Sequence, residues 1–172
     1  LTGCARVAGT GRSQLILTTP AMEAHQGAAA YRSIIAEETV SDDRAMTAIV
    51  ERVGRRLAAV APDPGFDWEF TLLASDTANA FALPGGKVAI YTGILRYCET
   101  EAGLAAVMGH EIAHAIARHG GERMSQGILV AGAGVALDAY LQHQDVEPTE
   151  RNLWLGAFAL GSQLGVMLPY SR

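Results

Sequence analysis

In the stretch VMGHEIAHAI, residues 107–116, His110 and His114 lie four apart and Glu111 directly follows the first. In an α-helix, positions i and i+4 share a face one turn apart, so two imidazoles at that spacing can meet one metal ion. Glu111 is rotated by about 100° from His110 and would stand beside such an ion, within reach of a water bound to it. Neutral imidazole is a preferred zinc ligand. Zinc lowers the pKa of a bound water to about 7, which gives a hydroxide-like nucleophile and makes Glu111 a candidate base. Catalytic zinc takes three protein ligands and a water, so the pattern calls for a third ligand elsewhere. The alternative is an ordinary core helix with incidental histidines, but an unpartnered glutamate buried in so apolar a stretch would be costly.

The other histidines fit less well. His119 does not continue the motif as H-x-x-G-x-x-H, and it reads as a residue near a helix C-terminus, where the dipole favours positive charge. His25 and His143 sit in polar surroundings, and Cys98 reads as a small core residue.

The elements that must carry these residues follow from apolar spacing. Residues 20–38 and 41–61 both repeat apolar side chains at threes and fours and predict amphipathic helices. Ser41 is the expected cap of the second, with Asp42 and Asp43 in its first turn and Pro62 beyond its end. Trp68 to Ala74 reads as a strand, and NAFALPGGKVAIYTG as two short strands around Pro84-Gly85-Gly86. A short helical piece, GILRYC, comes next. Thr100 then caps a helix through residues 101–119 that is expected to stop at Gly120-Gly121. Two apolar stretches, 127–141 and 153–168, flank a polar loop. Each falls short of the 18 or more apolar residues of a membrane span, and both read as buried or interfacial helices.

At 172 residues the chain suits one domain with a sizeable core. It is 49% hydrophobic and 18% charged, a globular balance that favours helices over disorder. A formal charge of −5 without a Lys/Arg block excludes a phosphate-backbone footprint, so no nucleic-acid partner is expected. Two cysteines do not make a disulfide framework. The opening residues LTGC have the form of a bacterial lipobox, with Cys4 as the lipidated residue and ARVAGTGRSQ as a tether after it.

NAFALPGG at 79–86, VAIYTGIL at 88–95, EAGLAAVMGHEIAHAIARH at 101–119 and LPYSR at 168–172 occur here in order. In these parts the chain resembles the HExxH zinc metallopeptidases grouped around the CAAX prenyl protease, HtpX, the Oma-type proteases and the BepA- and LoiP-like lipoproteins. The resemblance implies an α+β, mainly helical fold, with a zincin-like core and a small β-hairpin or sheet packed on the HExxH helix. It divides the chain into a lipoprotein N-terminus and tether (1–15) and a metallopeptidase domain (16–172). It also implies one Zn²⁺ per chain on His110 and His114, with Glu111 as general base. The third ligand, a glutamate, is expected beyond Arg172; Glu147 and Glu150 lie in the polar loop and are poor substitutes. An edge strand at Asn79, Ala80 and Phe81 is expected to hold an extended peptide.

The activity so implied is endopeptidase cleavage of unfolded or misfolded cell-envelope proteins, by an enzyme anchored through Cys4 as an outer-membrane lipoprotein facing the periplasm. Two other readings stay open: a non-catalytic chaperone or assembly factor using the same cleft, and a helical module peripheral to a membrane.

Overall fold

A computed structural model describes residues 4–6, 11–62 and 64–164. The LPYSR element and residues 1–3 lie outside the described residues, as does the side chain of Cys4.

Helix α1 spans Pro20–Glu37 and α2 spans Arg44–Val60, close to their predicted ranges. Pro20, which has no N–H to leave unsatisfied, opens α1 beneath Thr19, whose hydroxyl accepts from the Met22 N–H at 3.2 Å. The cap of α2 is Asp43 rather than Ser41. Asp43 Oδ1 accepts from the Met46 N–H at 2.9 Å, while the Ser41 hydroxyl accepts from the Asp43 N–H at 3.3 Å. A carboxylate both accepts the free N–H and complements the helix dipole, so the aspartate takes the cap.

The strands β3 (Glu69–Leu73), β4 (Ala80–Leu83) and β5 (Lys87–Tyr91) form a sheet in the order β3-β5-β4. A separate short ribbon pairs β1 (Cys4–Arg6) with β2 (Ser13–Leu15). β5 runs parallel to β3 and antiparallel to β4, and the expected hairpin turns through Gly85 and Gly86 at φ +88° and +92°. Only glycine takes that backbone without strain.

Period-two alternation gives the sheet two apolar faces. Phe70, Leu72, Val88 and Ile90 meet Val50 and Val53 of α2 and Leu104, Met108 and Ile112 of α4 (Glu101–Ile116). On the other face Leu73, Ala89 and Tyr91 meet Phe81 and the α1 residues Ile34 and Ile35. The result is a sheet between α1 on one side and α2 with α4 on the other, within the α+β, mainly helical architecture expected.

α3 (Thr92–Cys98) follows β5 directly, and Thr100 caps α4 as expected, its hydroxyl accepting from the Gly103 N–H at 3.1 Å. The far end of α4 differs from the expectation. It closes at Ile116, two residues before Arg118, which takes the left-handed conformation at φ 58°, and α5 then runs unbroken over His119–His143. Gly120 and Gly121 are therefore not terminators. A Cβ on Gly121 would fall 2.1 Å from Glu23 Oε1, so close approach of α1 is what requires a glycine there.

The continuous α5 also absorbs the apolar stretch at 127–141. At 25 residues it is long and apolar enough to cross a membrane by length and composition, contrary to the shorter element predicted, and 11% of its apolar window is buried. α6 (Pro148–Ser162) folds back along it, tied by Arg151 Nε and Asp138 Oδ1 at 3.1 Å.

Candidate metal centre

The stripe Leu104, Met108, Ile112, Ala115 repeats at fours and threes and is the buried face of α4, with Met108 wholly enclosed. At about 100° per residue, His110 and His114 project roughly opposite Met108. His110 is exposed and His114 and Glu111 are half-buried, so the polar residues occupy the open side of a helix anchored by its apolar one. An apolar sequence around the motif is thus compatible with an accessible site, because the apolar residues and the histidines face different ways.

The two ring nitrogens of the motif converge. His110 Nε2 and His114 Nε2 are 2.8 Å apart, with the rings edge-on at 86°. A tetrahedral ion with Zn–N distances of about 2.0–2.1 Å sets its ligand nitrogens about 3.3 Å apart, so the two Nε2 atoms reach one ion by a side-chain adjustment of about half an ångström. The donor set therefore fits zinc as two of its protein ligands. Among the described residues no group of three His, Cys, Asp or Glu side chains completes it.

The helix that follows contributes a residue for which spacing gave no metal-site role. His119 opens α5, and its Nδ1 lies 2.5 Å from His114 Nδ1, on the side of that ring away from His110. On a continuous helix a residue five on would be turned well away from His114; the left-handed Arg118 brings it back. Burial lowers the His119 pKa, and the neighbouring His114 and Arg12 act in the same direction, so the neutral ring is favoured.

The corner itself is held from the N-terminal side. Arg118 donates through Nη2 to Glu23 Oε1 at 2.7 Å and to the Thr18 carbonyl at 3.1 Å, and through Nε to Glu23 Oε2 at 3.1 Å. Glu23 is buried, and this bidentate partner compensates its charge. Arg12 grips Glu122 in the same two-pronged way, at 2.9 and 2.6 Å, and that hydrogen-bonded guanidinium pulls the Glu122 carboxyl below its ordinary range. Gln14 donates to the Ala117 carbonyl at 3.1 Å, and the Leu17 N–H donates to Ser125 Oγ at 2.8 Å. Arg12 and Gln14, placed in the tether by the sequence reading, are thus bonded to the α4–α5 corner.

β4 is the edge of its sheet and packs beside α4 through Ala80 and Ala82. The Tyr91 N–H donates to the Asn79 carbonyl at 3.0 Å, which makes 79/91, 81/89 and 83/87 the hydrogen-bonded pairs. The backbone N–H and C=O of Ala80 and Ala82 consequently point to the edge of β4 that no strand pairs among the described residues. The Phe81 ring turns to the α1 side, 6.2 Å from the Tyr91 ring between centroids, away from the face shared with α4. Of the three residues expected to meet a peptide, Ala80 presents its backbone at the free edge, whereas Asn79 and Phe81 spend theirs on β5.

Cys98 is buried beneath the core, and burial raises its thiol pKa, in keeping with an inert core residue.

Comparison with known proteins bears on this geometry. The profile described as Peptidase family M48 matches residues 44–172, which takes in α2, the sheet, and the helix bearing His110, Glu111 and His114. The Schizosaccharomyces pombe protein named mitochondrial metalloendopeptidase OMA1 is 35% identical over 152 residues, covering 83% of this chain and 40% of that protein. Its Arabidopsis thaliana namesake is 32% identical over 136 residues, or 79% of this chain and 26% of that one. The β-barrel assembly-enhancing protease of Escherichia coli K12 is 37% identical over 78 residues, or 45% of this chain and 16% of that one. The chain spans less than half the length of these relatives. With the family profile covering three-quarters of its length and the HExxH helix inside the match, the chain belongs to peptidase family M48.

Proposed function

We propose that this protein is a zinc metalloendopeptidase acting on unfolded polypeptide, one ion per chain being held by His110, His114 and a glutamate C-terminal to Arg172. The observation that carries the reading is the convergence of the two Nε2 atoms on the open face of α4, with Glu111 on the same helix and a free strand edge alongside. A zinc ion bound there would supply Lewis-acid polarisation of the scissile carbonyl and acidify water. Glu111 takes the proton of the attacking water and returns it to the leaving amine nitrogen. The outward N–H and C=O of Ala80 and Ala82 hold the substrate extended as an added strand, whose backbone pairing is indifferent to side chains. That suits an unfolded substrate better than one recognised by a pocket.

The relatives' names point to two settings, mitochondrial and β-barrel assembly, so they support the protease reading more strongly than a location. Placement as a lipid-anchored outer-membrane protein facing the periplasm, with misfolded envelope proteins as substrates, rests on the LTGC motif and Cys4. If Cys4→Ser leaves the full-length protein's fractionation unchanged and labelled palmitate does not enter the wild type, the anchor is wrong.

The activity is tested with Glu111→Gln in the full-length protein. Zinc content should stay at one equivalent while casein cleavage falls by about 100- to 10,000-fold, the usual contribution of a positioned acid–base group. Unchanged cleavage removes Glu111 from the chemistry. Client protection without cleavage in the wild type would favour the chaperone reading of the same edge.

A further inference from the structure

We infer that His119 is a positioning residue that orients the His114 imidazole, accepting a hydrogen bond from His114 Nδ1–H and so keeping Nε2 free as a donor to metal. This rests on the proposed metal site, which it deepens by naming what fixes one of its ligands. An imidazole that gives Nε2 to a metal carries its proton on Nδ1, and that N–H needs an acceptor; ligating histidines usually find one in a carboxylate, a carbonyl or water. Here the atom facing His114 Nδ1 is His119 Nδ1, at 2.5 Å, with the rings 4.7 Å apart between centroids.

The two nitrogens of His114 are thus divided, Nε2 toward His110 and Nδ1 toward His119. His119 accepts only when its own proton sits on Nε2. The backbone explains why it can be there. His119 is the first residue of α5, set by the left-handed Arg118, and Arg118 is locked to Glu23 and the Thr18 carbonyl. Glu122, one turn further along α5, is clamped by Arg12. The N-terminal segment therefore acts on the metal ligand through two steps: it holds the corner, and the corner holds the ring.

The test compares His119→Ala and His119→Asn with the wild-type full-length protein. Asn is the rescue because its amide can stand near the Nδ1 position and accept through oxygen. Zinc affinity, read by competition with a chromophoric chelator, should fall about 10- to 100-fold in the Ala variant and return to within a few-fold in Asn. Imidazole ¹⁵N chemical shifts of the metal-free protein supply a readout independent of zinc and of cleavage. His114 should be the Nδ1–H tautomer in the wild type and shift toward Nε2–H in His119→Ala. Wild-type His114 found as Nε2–H, or an Ala variant with unchanged tautomer and zinc affinity, overturns the inference. A wild type that binds no zinc yet shows the expected tautomer change would overturn the metallopeptidase reading and leave the positioning role standing.

Discussion

α4 and α5 follow one another through a single corner and are both rich in apolar residues, yet they end in opposite conditions. α4 buries Leu104, Met108, Ile112 and Ala115 on one stripe against the sheet and leaves its histidines open. α5 leaves Ile128, Leu129, Val135 and Tyr140 exposed, and its partner α6 buries no residue at all. Apolar content therefore does not say where a helix lies. What separates the two is whether the apolar residues form one stripe with a sheet to meet it.

The largest effect is expected on emptying the stripe. Met108 is wholly buried between the sheet and α2, so Met108→Ala leaves a cavity that this close-packed layer cannot readily collapse. A loss of about 2–5 kcal/mol in urea unfolding is expected. A loss below 1 kcal/mol would mean that the α4 stripe is not the core the packing makes it.

The same contrast governs how much was legible beforehand. The hairpin at 79–91 was readable because a Pro-Gly-Gly turn between alternating runs leaves little choice, and Thr100 because a hydroxyl at a helix start has a local use. The convergence of His110 and His114 was readable because positions four apart share one face of a helix. Asp43 displaced Ser41 by a competition between two nearby caps that spacing does not resolve. The corner at Arg118 was not readable. Its left-handed turn is stabilised by Glu23 and Thr18, about a hundred residues away in the chain, while the adjacent glycines advertised a terminator they do not form. Missing the corner also misplaced His119, whose relation to His114 exists only through that turn.

A smaller effect probes the clamp between the N-terminal segment and α5. Arg12 is half-exposed, with a side-chain accessibility of 46%, so its pair with Glu122 should contribute no more than about 1 kcal/mol. Its pH dependence has a definite sign. The Glu122 carboxyl is held below its ordinary range in the folded state, chiefly by the Arg12 hydrogen bonds. The stabilisation is therefore complete above the unfolded-state value of about 4.3 and disappears as pH falls through that value and the lower folded one. Wild type and Arg12→Ala should differ most at neutral pH and converge in urea titrations as pH falls through the lowered folded-state value of Glu122. A gap that widens on acidification would show that Glu122 is not the partner Arg12 stabilises.

The smallest effect is expected where the composition is most apolar. Val135 on α5 is 72% exposed and Leu153 and Leu160 on α6 are 70% and 68% exposed. Little apolar area leaves water at these positions on folding, so shortening them removes little transfer free energy. Val135→Ala and Leu160→Ala should each change unfolding free energy by no more than about 0.5 kcal/mol, the range of ordinary surface substitutions. Losses comparable to that of Met108→Ala would mean that this face is covered in solution. The contrast with α4 would then become one of which partner buries each helix.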